Sequence, residues 1–251
     1  MRPPSTKDNF SKSELAEHGL HKKFDKFKLV SHCLLNNSAN DALLKEYCVY
    51  KMYNYISDYS FRVKSFKVYY QDNKKPERKI IAECFLIEPN KEMAFRNGGV
   101  LIDSLGLTSE AVTPESYHHI IMFNYMIGNT DWSVLKQKNI KFLKKKGKEK
   151  LIIVPYDFDN SKLVNPPYFS PYTVPKKKQR DNRYIKDKFH NKDALYQELL
   201  FFHALAPYQV AICDECEKLD KTEKKKMKQY LKPFFKSIQD IVKMQKLFLE
   251  N

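Results

Sequence analysis

A chain of 251 residues with 42% apolar side chains is long enough for one large domain or two small lobes around a real core. Its formal charge of +15, from 45 Lys and Arg against 30 Asp and Glu, asks for anionic company: nucleotide phosphates, nucleic acid, an acidic protein or a lipid surface. No run approaches the roughly 18 apolar residues of a membrane span, the opening MRPPSTKDNF lacks the apolar stretch of a secretory signal, and five irregularly spaced Cys describe no disulfide framework.

The segment up to about Phe24 is polar, carries Pro3 and Pro4 and reads as an extended arm. KFKLVSHC, Lys26 to Cys33, alternates like a strand. Asn40 or Asp41 then caps a helix in which Leu43, Leu44, Tyr47, Tyr50 and Tyr53 recur at helical spacing, to about Ile56. SFRVKSFKVYYQD, from Ser60, alternates again, and after a DNKKPER turn KIIAECFLIE, Lys79 to Glu88, returns as its hairpin partner. Strand, helix, strand and strand make a small α+β lobe over residues 1–90.

Pro89 and Asn90 break the chain, and residues 91–251 read as mainly helical. Thr113-Pro114 with Glu115 is a helix start, and the apolar run from Tyr117 to Met126 makes this a buried helix that ends at Gly128. Asn139 to Leu143 and Leu151 to Val154 form a hairpin with a Lys-rich tip. A Pro- and Tyr-rich loop follows from Asn165 to Pro175, where Tyr168 and Tyr172 either face a substrate or simply pack. Helices are then expected from Asp193 to Ala206, Gln209 to Leu219 and Lys221 to Leu249.

The hairpin carries an acidic cluster at each of its outer ends: IGNTDWSV before it and VPYDFD after it. Because one strand goes out and the other comes back, Asp131 and Asp157 are brought to one place. Paired carboxylates with an Asn nearby suit a hard cation such as Mg²⁺, which takes oxygen ligands, keeps several waters and bridges to phosphate. The competing reading is local: Asp131 caps a turn, and Asp157 and Asp159 sit in an Asx turn.

IGNTDWSV…NIKFL…LIIVPYDFD, within Ile127 to Asp159, resembles the active-site segment of the CotH-type spore-coat kinases. It is similar, more distantly, to the HipA-type atypical kinases with their Asn-Thr-Asp loop. It is nearer to Bacteroidetes-type proteins, often exported, that carry NTDWS and PYDFD. The resemblance implies a bilobal protein-kinase-like fold, with a nucleotide-binding lobe over 1–90 and a mainly helical catalytic lobe over 91–251. It implies ATP and Mg²⁺ as cofactors and a hydroxyl on a protein or small molecule as acceptor. Lys28 matches the lysine that steadies the nucleotide phosphates, with Lys26 as a substitute on the same strand face, and Glu46 matches the glutamate that pairs with it. Asp131 matches the catalytic-loop Asp, Asn139 the metal-binding Asn and Asp157 the Asp that holds Mg²⁺; Asp159 and Asn129 support that metal. The chain departs from the pattern in having no Gly-rich phosphate loop among its six Gly and no His-Arg-Asp triplet. Asp159 also stands where Asp-Phe-Gly would have its Gly.

Two alternatives stand beside an ATP-dependent phosphotransferase. One is a pseudokinase-like binding protein whose basic surface meets an acidic partner. The other is nucleic-acid binding through the lysine runs at Lys141 to Lys150, Pro175 to Lys188 and Lys218 to Lys228, ranked last because no aromatics are interleaved with them. His118, His119 and His32 read as packed histidines, Trp132 as a prop under the loop, and Ser133 as no nucleophile for want of a spaced His. Cys213 and Cys216 read as half-buried thiols on a helix rather than a zinc site. The expected setting is the cytoplasm, with export after removal of a leader as the alternative.

Overall fold

In the computed structural model, which describes residues 11–17, 23–24, 26–31, 37–72, 75–167, 179–180 and 183–249, the alternating stretches of the first third become a sheet. A short helix α1 (Lys12–Glu17) precedes β1 (Lys28–Ser31), α2 (Asn37–Asn54), β2 (Val63–Asp72) and β3 (Lys75–Ile87). The strands form an antiparallel sheet in the order β1-β3-β2, with Lys28 opposite Ile87 and Val63 opposite the same residue on the other side. Helix α2 packs on this sheet and on a later helix, so it is enclosed over most of its circumference: Ala42 to Glu46 are buried without interruption. A helix buried all round has no solvent face for its charges, and Lys45 and Glu46 therefore need partners inside the protein.

The chain leaves β3 through Glu88, whose carboxylate accepts from Arg96 Nε at 2.9 Å and from Arg96 Nη2 at 2.9 Å. The same guanidinium donates to the Ser60 and Asp58 carbonyls, and Glu88 also accepts from the Arg62 N–H at 3.0 Å. This two-pronged pair fixes α3 (Asn90–Arg96) against the first sheet. Strand β4 (Gly99–Ile102) follows, then α4 (Pro114–Ile127), β5 (Ile140–Lys145) and β6 (Ile152–Pro155). A second antiparallel sheet has the order β4-β5-β6. The two-residue strands β7 (Gln179–Arg180) and β8 (Arg183–Tyr184) precede α5 (Lys192–Glu215), α6 (Lys221–Ser237) and α7 (Ile241–Phe248). Every residue of α4 from Ser116 to Ile127 is buried, and it packs against β6, α5, α6 and β8 as the central element of the helical portion. The architecture is α+β with small antiparallel sheets. Among the described residues no helix is long and apolar enough to cross a membrane.

The local chemistry explains why the boundaries of α4 match expectation: Pro114 occupies its first turn and Gly128 ends it in the left-handed region at φ 68. The differences are equally physical. The arm contains the short helix α1 rather than being extended throughout. Two helices expected on either side of Pro207 are one continuous α5. Proline removes one N–H and so frees the His203 carbonyl, and both residues are exposed, so the freed carbonyl is on the solvent side, where it costs little. The single long helix expected after Lys221 is two, because Asp240 caps α7 by accepting from the Lys243 N–H at 2.9 Å. Strand β4 was not expected; it is four residues long and gains its identity only by pairing with β5. His32, Tyr168, Tyr172 and, within the lysine run from Pro175 to Lys188, residues 175–178 and 181–182 lie outside the described residues.

Candidate functional site

Gly128 turns the end of α4 into Asn129, and a Cβ at position 128 would collide with the Tyr230 hydroxyl. Asn129 is buried and ties the loop to the helix behind it. Its Oδ1 accepts the Asp131 N–H at 2.8 Å, and its Nδ2 donates to Asn124 Oδ1 at 2.9 Å. From the other side the Lys186 ammonium donates to the carbonyls of Thr130, at 2.9 Å, and Trp132, and lies 5.4 Å from the centre of the Trp132 ring. The backbone on both sides of Asp131 is thus held by a charged donor, and Trp132 is buried beneath it.

Ser133 and Lys138 then exchange both backbone hydrogen bonds, closing a small loop that returns the chain to its start. This places Lys138 and Asn139 against Asp131. The Lys138 ammonium pairs with Asp131 Oδ1, while Asn139 Nδ2 donates to the Asp131 carbonyl at 2.7 Å and to Oδ2 at 3.2 Å. Asn139 adopts φ 53 and Asp157 adopts φ 63, a left-handed conformation that Asn and Asp tolerate best among residues with a Cβ. Between them runs the last bond of the hairpin, from the Tyr156 N–H to the Asn139 carbonyl at 3.0 Å. Register Ile140↔Pro155 therefore sets the two acidic clusters at one mouth, as the sequence implied.

Helix α2 holds the second cluster. The Tyr50 hydroxyl accepts the Asp157 N–H at 2.8 Å, and the Glu46 carboxylate accepts the Phe158 N–H. The Phe158 ring is buried edge-on to Tyr50, centroids 4.9 Å apart, and to Phe123, 5.5 Å apart, so the turn is anchored in the core from which Asp157 and Asp159 emerge. Burial raises the Glu46 carboxyl well above the usual carboxylate range, helped by the neighbouring charges of Asp159 and Asp157 and opposed by Lys28. Asp157 is raised for similar reasons, burial first and Asp159 next, with Asp131 adding to the effect and Lys28 and Lys138 opposing it. Lys28, Glu46, Asp131, Asp157 and Asp159 thus act on one another electrostatically although they come from separate parts of the chain. It is Lys28, not Lys26, whose charge reaches Glu46 and Asp157. Its ammonium lies 6.0 Å from the Tyr156 ring centre rather than in direct contact with Glu46.

The donor set fits a divalent cation held jointly with phosphate. Several carboxylates raise one another's affinity for protons, and a cation would relieve the same repulsion. With Asn139 Nδ2 committed to Asp131, its Oδ1 is in no hydrogen bond among the described residues and is free to face a hard cation. Among the described residues no three His, Cys, Asp or Glu side chains converge into a self-sufficient metal cage. Mg²⁺ seldom uses one; one or two carboxylates, water and substrate phosphate suffice.

Three contributors were not singled out from the sequence. Tyr50 lies four residues after Glu46 on one helix face, a spacing that could have revealed it. Lys138 and Lys186 carried no signal, being two among many lysines. The remaining candidates are structural. His119 Nδ1 lies 2.8 Å from Glu198 Oε1 with its ring stacked on Phe201, and His118 Nε2 lies 3.0 Å from His190 Nδ1. Ser133 Oγ accepts the Lys136 N–H. Cys213 and Cys216 are buried rather than half-buried. No model of a known protein family matches the chain, and no curated protein sequence is similar enough to count as a relative.

Proposed function

We propose that the chain is an atypical kinase-like phosphotransferase that binds ATP with Mg²⁺ between a nucleotide lobe, residues 1–90, and a catalytic lobe, residues 91–251. The observation that carries this reading is the meeting of Lys28 and Glu46, from a strand and helix of the first part, with Asp131, Asn139, Asp157 and Asp159, from the second. The bilobal kinase-like arrangement is supported by the order β1-β3-β2 with α2 laid on it, which puts the lysine strand and the glutamate helix together. When bound, Mg²⁺ neutralises charge on the nucleotide phosphates, and Asp157, Asp159 and Asn139 Oδ1 would hold it.

The chain's own residues then have separable tasks. Asp131, with its backbone clamped by Asn129 and Lys186, orients an acceptor hydroxyl and accepts its proton. Lys28 offsets the phosphate charge from the sheet side. Lys138, paired with Asp131 and close enough to influence Asp157, offsets the charge of the group in flight. Tyr50 and Glu46 keep the backbone of Asp157 and Phe158, respectively, in place. Incubation with γ-labelled ATP and Mg²⁺ tests the reading. Labelled product, or labelled chain, should form with the wild type and fall at least about a hundredfold for Asp131→Asn with nucleotide binding kept. Equal label transfer by Asp131→Asn would refute it.

A second reading has its own observation. Lys28 rests on Tyr156 while the buried Glu46 carboxylate is engaged by Phe158, so the lysine–glutamate pair of an active kinase is not closed. A pseudokinase-like protein that binds nucleotide and presents its basic surface to an acidic partner would bind Mg²⁺ and ATP in the same assay and transfer nothing.

A further inference from the structure

Three cysteines that the acidic site does not use meet where α2 packs against the end of α5. Cys48, in the middle of α2, is 1% exposed; Cys213, in the last turn of α5, is 0% exposed; Cys216, the residue that caps α5, is 7% exposed. Cys216 Sγ lies 3.9 Å from the Leu44 carbonyl. In an α-helix that carbonyl receives the N–H four residues on, which belongs to Cys48. The Cys216 sulfur therefore sits at the rung of α2 from which Cys48 projects, and the two thiols are near enough to perturb each other's titration. Cys213 turns instead toward the Gln209 carbonyl of its own helix, 3.9 Å away. The CxxC spacing suggests a Cys213–Cys216 partnership, but the packing makes a different one.

We propose that Cys48 and Cys216 are a redox-active thiol pair that closes to a disulfide under a hydroperoxide, cross-linking α2 to the end of α5. The inference stands apart from the phosphotransfer reading, since it concerns other side chains and is read without nucleotide. The two thiols differ in a way that sets the order of events. The neighbouring Cys48 thiol lowers the Cys216 thiol below its usual range, aided by Lys224 and Lys218, whereas the Cys216 thiol and burial raise Cys48 well above it. Cys216, the more exposed, attacks first. Its thiolate sulfur bonds to one peroxide oxygen, the O–O bond breaks, and the departing hydroxide takes a proton to become water, leaving a sulfenic acid. The Cys48 sulfur then gives up its proton and attacks the Cys216 sulfur; the S–S bond forms, the S–O bond breaks, and the leaving hydroxide with that proton is a second water. Two thiols and one peroxide become one disulfide and two waters, the thiols supplying both electrons. Cys48 lies between Glu46 and Tyr50, so the bond would fasten the stretch of α2 that holds the backbone of residues 157 and 158.

The test treats the native full chain with hydrogen peroxide, digests it without reductant and maps the peptides by mass spectrometry. A linked Cys48–Cys216 peptide pair is expected, with loss of two hydrogens from the intact mass and reversal by dithiothreitol. Cys213→Ala should give the same pair. In Cys48→Ser the reaction should stop at a sulfenic acid on Cys216 that dimedone traps, and in Cys216→Ser the Cys48 thiol should survive. A Cys213–Cys216 bond, or Cys48 and Cys216 thiols that react only after urea is added, would overturn the proposal; the wild-type map decides even if a variant does not fold.

Discussion

Asp157 faces the site with its carboxylate while its main chain, at φ 63, is held by a phenol that belongs to α2. Tyr50→Phe removes only that acceptor and leaves the Asp157 N–H without a partner. Urea unfolding should show a loss of about 1–3 kcal/mol with an unchanged m-value; a variant as stable as the wild type would mean that the bond is replaced at no cost. Gly128→Ala should be more damaging than an ordinary glycine substitution. Its left-handed backbone costs roughly 1 kcal/mol with a Cβ, and that Cβ meets the Tyr230 hydroxyl, which adds on the order of 1–3 kcal/mol of crowding. Thermal unfolding well below the wild type checks it. The sequence revealed Asp131, Asn139, Asp157 and Asp159 at one mouth because their placement follows from hairpin register, a short-range property. It did not reveal Lys186, because the contact to the Thr130 and Trp132 carbonyls depends on how a distant segment returns, which no spacing encodes.

Elements with strong punctuation were the legible ones. Helix α4 has a proline at its start, a left-handed glycine at its end and an apolar run between, and hairpin β5–β6 has short apolar strands around a polar tip. What stayed hidden were elements decided by their neighbours: β4, which exists through β5, and the passage of α5 through Pro207, allowed because that side faces water. One consequence of α4 packing is measurable. Burial, with the nearby His190 and His119, lowers His118 from the ordinary imidazole value of 6.5 to about 4, and its ring stacks on Phe189. The fold therefore prefers the neutral ring. The stability that His118 contributes is complete above about pH 6.5 and is lost as the pH falls through about 4. Across this window, unfolding midpoints of His118→Gln should decline less steeply than those of the wild type; parallel curves would remove His118 as the cause.

For the whole molecule, a net charge of +15 proves less uniform than composition implies. The run from Lys218 to Lys228 is partly answered by the chain's own carboxylates, through Lys218–Glu83, Lys226–Glu223 and Lys228–Asp214, and the buried Lys45 also reaches Glu223. That run is weaker ground for an acidic partner than the exposed hairpin tip from Lys146 to Lys150. The opposite imbalance lies within the candidate site, where Glu46, Asp131, Asp157 and Asp159 face Lys28 and Lys138 and the carboxylates of Glu46 and Asp157 hold their protons more tightly than usual. Phosphate with a divalent cation would answer both signs at once: the phosphate meets the lysines and the cation meets the carboxylates. Isothermal titration calorimetry of the full chain with a non-hydrolysable ATP analogue reads this most directly. We expect binding in Mg²⁺ that weakens by at least about tenfold both in EDTA and in Asp157→Ala. No binding by the wild type, or the same affinity in all three conditions, would contradict it.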